Sequence, residues 1–355
     1  MKGAIVIASG GTGGHMFPAI ALGDALARRG HRVAYAVDRR GARYLDAGAP
    51  RWLVRAGSPS GSPLRRLQGL LLLALGFAAS LARFALARPR SVVAFGGYAA
   101  VPTGLAAGLL RIPLVLHEQN AVFGRAHRLL VRFARTVALS FEPTAAAPAA
   151  GRLTPVVGNP VRAGFAPAPY QRAPDGPLRV LVVGGSQGAT AFADVVPAAV
   201  AALEPAERDR LDLVQQCRPE DLERVRARYA ELGLRAETAS FFDDMPERLA
   251  TADLVVTRAG ASAVAEILVV GRPSILVPYA HAADDHQRAN ARSLAQAGAA
   301  CLIDPSVFTG ETLALTLAHL LRTPDELVAM AEAARRLARP DAAERLADVV
   351  EESLA

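Results

Sequence analysis

The sequence predicts an α/β protein of two doubly wound, Rossmann-like domains, and three observations carry that prediction. Strand-length apolar runs alternate with helical periods along the whole chain. A strand followed by a Gly/Ser turn occurs near the start and again from residue 178. A Pro-rich stretch without periodicity separates the two series. A chain of 355 residues suits two domains of ordinary size.

In the first series, "GAIVIA", "HRVAYAV", "RWLVRA", "SVVAFGG", "PLVLHEQ" and "TVALSF" read as buried strands of a parallel sheet. Segments such as "IALGDALARRG" lie between them, apolar at helical spacing with Gly30 as a stop. These make a first domain over 1–162. Residues 163–177, "AGFAPAPYQRAPDGP", hold four prolines and read as a linker. The second domain, 178–340, opens with "LRVLVVGGSQGA" and continues through "LDLVQQC", "AETASFF", "ADLVVTRAGAS", "PSILVPY" and "AACLID". The tail reads as two helices broken at Pro340, the second (341–355) packing back on the first domain. Ligands of doubly wound sheets bind outside the carboxyl ends of the strands, so a cleft faced by both halves is the expected site.

Hydrophobic residues make up 52% of the chain and charged ones 21%, which excludes a disordered protein. Two cysteines fit neither a disulfide framework nor a zinc pattern, so a reducing compartment is expected. The N-terminal apolar run is strand-length, shorter than a secretory signal needs, and a cytoplasmic location is expected. A net charge of +7 favours anionic partners. Nucleic acid is not expected among them, because no aromatics interleave with basic residues and no dense basic run occurs.

The two glycine turns are neither dinucleotide fingerprints nor P-loops: Met16 and Ser186 stand where glycines belong, and no Gly-Lys-Ser/Thr follows. Both offer backbone N–H groups at a helix N-terminus, which suits a diphosphate. "VVGNPVR" ends the first domain with Arg162, either a phosphate ligand or a solvated arginine. In "TRAGASAVAEIL", Glu266 lies one to two turns into a helix, placed for a ribose diol or as a helix-face carboxylate. "HAADDHQRANA" reads as a loop with aspartates capping the helix of Gln287 and Asn290, in preference to a metal site. "HEQN", 117–120, places four polar residues at the end of a strand, facing the cleft mouth, with Asn120 alternatively a cap. From Gly69 to Ala82 no charge occurs, and Arg65, Arg66, Arg83, Arg88 and Arg90 flank this run. Such a helix either lies on an anionic membrane or fills a core; fourteen uncharged residues are too few to span a bilayer.

"GGTGGHMFPAIALG", "FGGYAAVPTGLAA", "IPLVLHEQN", "VVGNPVR", "VLVVGGSQGA", "FDDM", "TRAGAS…AE" and "HQRANA" occur here in one order over essentially the whole chain. In these motifs the chain resembles the bacterial peptidoglycan glycosyltransferase family MurG. The resemblance implies the two-domain GT-B architecture and inverting transfer of GlcNAc from UDP-GlcNAc to undecaprenyl-diphosphoryl MurNAc-pentapeptide (lipid I), giving lipid II. It implies no Asp-x-Asp metal site, no metal and no cofactor. It implies an anionic membrane surface as a partner, with cell-wall synthesis or division proteins, and a peripheral place on the cytoplasmic face of the plasma membrane.

By match to those motifs, Thr12, Gly13 and Gly14 lie between donor and acceptor, and Asn120 touches the donor. Arg162 and Ser186 hold its diphosphate, and Phe242 sits at the uracil. Ala261, Ser262, Ala263, Val264, Ala265 and Glu266 line the ribose and phosphates, and Gln287 holds GlcNAc hydroxyls. Two departures are Ala263, where the family usually has a hydroxyl, and His286, where some members have glutamine. His15 is the expected base: an alcohol is a poor nucleophile at neutral pH, and an unperturbed imidazole pKa of about 6.5 suits its deprotonation. Pro18 is expected to set the start of the helix after it. A UDP-GlcNAc 2-epimerase would share the two-domain design, but gives no reason for the arginine-bracketed apolar stretch. A non-enzymatic UDP-sugar-binding adaptor is the other alternative.

Overall fold

The computed structural model describes residues 2–58, 61–147, 154–173, 176–184 and 190–354. The chain divides into two compact units, Met1–Ala163 with Arg339–Ala355, and Gly164–Ala338. The first contains β1 (Ile5–Ala8), α1 (Gly13–Arg28), β2 (Val33–Val37), β3 (Arg51–Leu53), α2 (Pro63–Leu86), β4 (Ser91–Ala94), α3 (Gly97–Leu109), β5 (Leu114–Glu118), α4 (Arg125–Leu130) and β6 (Thr136–Leu139). Its strands are all parallel, in the order β3-β2-β1-β4-β5-β6. Strands β1, β4 and β5 are buried on both faces, which is why they read as unbroken apolar runs.

The second unit repeats the design. It contains β7 (Leu178–Val183), α5 (Thr190–Ala202), α6 (Pro205–Arg208), β8 (Leu211–Gln216), α7 (Leu222–Glu231), β9 (Ala236–Ala239), α8 (Met245–Thr251) and β10 (Leu254–Thr257). There follow α9 (Ala261–Val270), β11 (Ser274–Leu276), α10 (His286–Gln296), β12 (Ala300–Leu302), α11 (Gly310–Arg322) and α12 (Pro324–Leu337). The order β12-β11-β10-β7-β8-β9 is again wound both ways from the centre. The winding reverses between β1 and β4 and between β7 and β10, and each reversal opens a crevice at the carboxyl ends of those strands.

The terminal helix α13 (Ala342–Glu352) belongs to the first unit and lies on α1. Arg29 reaches Glu344, Asp348 and Glu351, and His31 meets Glu351. These partly exposed pairs contribute little. The docking is driven by Leu346, Ala347 and Val350, which are wholly buried in the core around Ile5 and Leu22.

Residues 163–177, expected as a linker, belong almost entirely to the second unit. Tyr170 is buried in its core and donates to the Asp253 carbonyl, and the Ala168 N–H bonds the Val270 carbonyl. Proline content revealed the lack of period but not this aromatic anchor.

Helix α2 inverts the usual arrangement. Gly69, Gly76, Ser80 and Phe84 face inward, and a Cβ on Gly76 would lie 2.0 Å from the Arg55 carbonyl oxygen. Leu64, Leu67, Leu71 and Leu75 form one stripe at helical spacing on the opposite side, and all four are exposed. The small residues permit close backbone approach, so the bulky apolar face points outward. The leucine stripe therefore does not fill a core.

Candidate active site

The turn after β1 lies at the first unit's winding reversal. Asp38 organises it by accepting from the amides of Gly11 (3.0 Å) and Gly41 (2.7 Å). Helix α1 starts at Gly13, so Pro18 is its sixth residue and does not set its start as expected. Thr12 is the N-cap residue, yet its side chain makes no capping bond and is exposed. His15 therefore stands third in the helix, held by backbone bonds from its own N–H to the Thr12 carbonyl and from Ser9 Oγ to its carbonyl. The ring is half-buried, and its Nδ1 lies 2.6 Å from Gln119 Oε1. A carbonyl oxygen can only accept, so Nδ1 carries a proton, and in the neutral ring the lone pair lies on Nε2.

Arg162 joins this turn through an aromatic ring. Its guanidinium stacks on Phe17 at 4.3 Å, and Phe17 packs edge-on against Tyr44. A Cβ on Gly13 would meet Phe17 at 2.7 Å, so glycine there lets the ring lie against the turn. The tertiary structure thus places Thr12, Gly13, His15 and Arg162 in one neighbourhood, in the first unit.

"HEQN" does not present four polar side chains to solvent. His117, Glu118 and Gln119 are buried, and Asn120 is half-buried. His117 Nε2–H donates to the Gly158 carbonyl (2.9 Å); burial pushes its pKa down to about 4, so the ring is neutral. Glu118 accepts from His127 Nδ1–H (2.7 Å), the Gly124 amide (2.8 Å) and the backbone and side-chain N–H groups of Asn120. Burial alone would raise the Glu118 carboxyl, but His127 and the amide donors outweigh it and hold the group well below the usual carboxylate range. His127 faces acceptors with both nitrogens, Glu118 through Nδ1 and the Ala94 carbonyl through Nε2 (3.3 Å). Only the imidazolium satisfies both. Glu118 is accordingly a buried counter-ion of His127.

In the second unit, Ala261, Ser262 and Ala263 open α9 directly after β10, half-buried, while Val264 and Ala265 turn into the core. The first N–H groups of a helix have no partner within it, so this end suits anionic oxygens. Glu266, the sixth helical residue, is half-buried on the next turn. Gln287 Oε1 accepts from the Tyr279 amide (2.9 Å), so a sugar hydroxyl would be met by its Nε2 as donor. Asp285 is the N-cap residue of α10, but its carboxylate bonds Arg288 and makes no cap bond. Asn290 is buried and donates to the Ala259 carbonyl.

The Phe242 ring is buried under the Arg248 guanidinium (4.1 Å), which Glu237 and Asp244 hold in place. Ser186 lies outside the described residues. Sequence reasoning missed three contributors: Asp38, the partnership of Gln119 with His15, and Arg258. The last donates to the Val277 and Pro278 carbonyls and fixes the strand end that carries Tyr279. Only the Arg258 position, directly after a strand and before the small-residue turn, offered a signal.

Comparison with known proteins identifies the family. Residues 5–139 match the glycosyltransferase family 28 N-terminal domain and residues 179–346 the glycosyltransferase family 28 C-terminal domain. The chain is 48% identical over 353 residues to the UDP-N-acetylglucosamine–N-acetylmuramyl-(pentapeptide) pyrophosphoryl-undecaprenol N-acetylglucosamine transferase of Rhodospirillum centenum, covering 98% of this chain and 93% of that protein. The protein of the same name from Paramagnetospirillum magneticum is 47% identical over 357 residues, covering 98% and 96%. The crystal structure of Acinetobacter baumannii MurG superposes with a TM-score of 0.82 at 33% identity, covering 99% of each chain. The chain belongs to the MurG family of glycosyltransferase family 28.

Proposed function

We propose that this protein transfers GlcNAc from UDP-GlcNAc to the C4 hydroxyl of MurNAc in lipid I, with inversion, giving lipid II for peptidoglycan. The carrying observation is the near full-length identity to transferases of that name, which also sets aside the epimerase and adaptor alternatives. The chemistry follows from the residues. His15 Nε2 takes the C4 hydroxyl proton as that oxygen attacks the anomeric carbon. The bond from that carbon to the diphosphate breaks, and UDP leaves with the electron pair. Helix N-termini, with Arg162 and Ser186, meet the charge developing on the diphosphate, and Thr12, Gly13 and Gly14 lie between donor and acceptor. Asn120 and Gln287 contact the donor sugar, and Phe242 the uracil. A transfer assay with UDP-GlcNAc and a short-chain lipid I analogue tests the reading; hydrolysis or epimerisation of the donor without a new glycosidic bond would overturn it.

Glu266 is assigned to the ribose hydroxyls. Glu266→Ala is expected to weaken UDP-GlcNAc binding by about 1–3 kcal/mol, the scale of a charged hydrogen bond lost. Calorimetric titration of the variant measures this, and unchanged affinity would place the ribose elsewhere.

The exposed leucine stripe of α2, with Arg65 and Arg66 beside it, supports peripheral docking on an anionic membrane at the cytoplasmic face. The helix is 24 residues long, and its most apolar 18-residue stretch has a mean hydropathy of 2.0. It is longer than its uncharged run suggested, yet its inward side packs on α3 and Phe84 is wholly buried, so spanning a bilayer would dismantle the unit. Replacing Leu67 and Leu71 by Ser, and Arg65 and Arg66 by Gln, should reduce sedimentation with anionic liposomes while activity on a water-soluble acceptor survives. Loss of both together would assign the stripe to folding. Cell-wall synthesis or division proteins are the partners this location implies.

A further inference from the structure

We infer that Gln119 is the positioning residue that holds His15 with its lone pair on Nε2, and that this position requires a neutral acceptor. The inference rests on the reading of His15 as the base. Gln119 is 2% exposed and accepts from His15 Nδ1 at 2.6 Å, while its own Nε2 is buried without a hydrogen-bond partner among the described residues. A glutamate of nearly the same shape would accept the same proton without stranding a donor. A buried orphan N–H is unfavourable, and the neutral carbonyl is what the chain obtains with it.

The adjacent residue shows the contrast. Glu118 is the last residue of β5 and Gln119 follows it directly. Glu118 gives a carboxylate to His127 and holds it as imidazolium; Gln119 gives a carboxamide to His15. Both rings approach the same side of Gly96, where a Cβ would come within 3.4 Å of His127 and 3.6 Å of His15. Gly96 has φ +86°, which also favours glycine. Other charged groups of the surrounding elements include Asp38, which binds two amides and faces Arg40, Arg162 on Phe17, Asp24 and Arg28 of α1, and Arg125 and Arg128 of α4. A base must be neutral before it takes a proton. A carboxylate in place of Gln119 would stabilise the protonated ring and hold it inactive to higher pH.

The test is nitrogen-15 NMR of the imidazoles in the wild type, Gln119→Glu and Gln119→Leu, with the His15 signal assigned by its loss in His15→Ala. In the wild type at alkaline pH the proton is expected on Nδ1. In Gln119→Leu this preference should disappear, and kcat should fall roughly 10–100-fold with donor KM unchanged, the scale for losing a group that orients an imidazole. In Gln119→Glu the titration of His15, and with it the rising limb of the pH–rate profile, should move up by about one pH unit or more. A wild-type proton on Nε2, or a titration unmoved by Gln119→Glu, overturns the inference. The wild-type tautomer is read without any substitution at Gln119, so a misfolded Gln119 variant does not block the test. If the NMR behaves as expected while His15→Ala keeps its turnover, the positioning stands and the base assignment fails.

Discussion

His15→Ala is expected to lower turnover by roughly 10²–10⁴-fold, the worth of a positioned proton acceptor, and to leave affinity for UDP-GlcNAc nearly unchanged. The separation of the two quantities follows from where the groups sit. His15 belongs to the first unit, on the third residue of α1, whereas the ribose and sugar contacts assigned to Glu266 and Gln287 belong to the second. Proton removal from the acceptor matters only as its oxygen attacks, so the loss falls on kcat. The wild-type rate should rise with pH as the imidazole becomes neutral, and this limb should vanish in the variant. Paired measurements of kcat and donor Kd on one preparation decide the matter. A parallel fall in both would make His15 a phosphate ligand, and near-normal turnover would remove it from the chemistry.

Glu118→Gln is expected to destabilise the first unit by about 3–5 kcal/mol, because it leaves the buried His127 imidazolium without its counter-ion. Glu118 is 2% exposed and accepts four hydrogen bonds, so no water can take over the role. Its carboxyl is held below its ordinary value of 4.5, so its contribution is fully present above that pH. The contribution is lost as pH falls through the depressed folded value, and acid should therefore unfold this unit. The chain's one tryptophan, Trp52, lies in β3 and packs edge-on against Phe84, which makes its fluorescence a reporter of the first unit alone. Denaturant titrations of wild type and variant at neutral pH measure the difference, and an acid titration checks its sign. If Glu118 were instead the base, the variant would lose turnover by two orders of magnitude or more and keep its stability.

Much of the fold was legible in the chain. Buried parallel strands must be short and continuously apolar, and strands such as Ile5–Ala8 and Leu254–Thr257 announce themselves in that way. The first glycine turn and the small-residue start of α9 were legible too, because a tight strand-to-helix turn favours small residues. The Pro-rich segment was misread as a linker because composition reports periodicity, and Tyr170 is anchored by burial, which has none. Pro18 was misplaced at the start of α1 because a proline in the second turn and one at the first residue look alike in sequence.

What the sequence by itself determined is the pair of doubly wound sheets, the family, and the identity of the ionisable group beside the first turn. These are properties of local pattern and of ordered motifs. The tertiary structure alone decided which polar residues of one short motif are buried and what each of them bonds. In "HEQN", His117 is neutral in the core, Glu118 is a counter-ion, and Gln119 reaches back 104 positions to hold His15. It also decided that α2 turns its leucines outward and its glycines in. The reason is the same in both cases: charge state and exposure depend on which atoms lie within a few ångströms, and those atoms come from segments far apart in the chain.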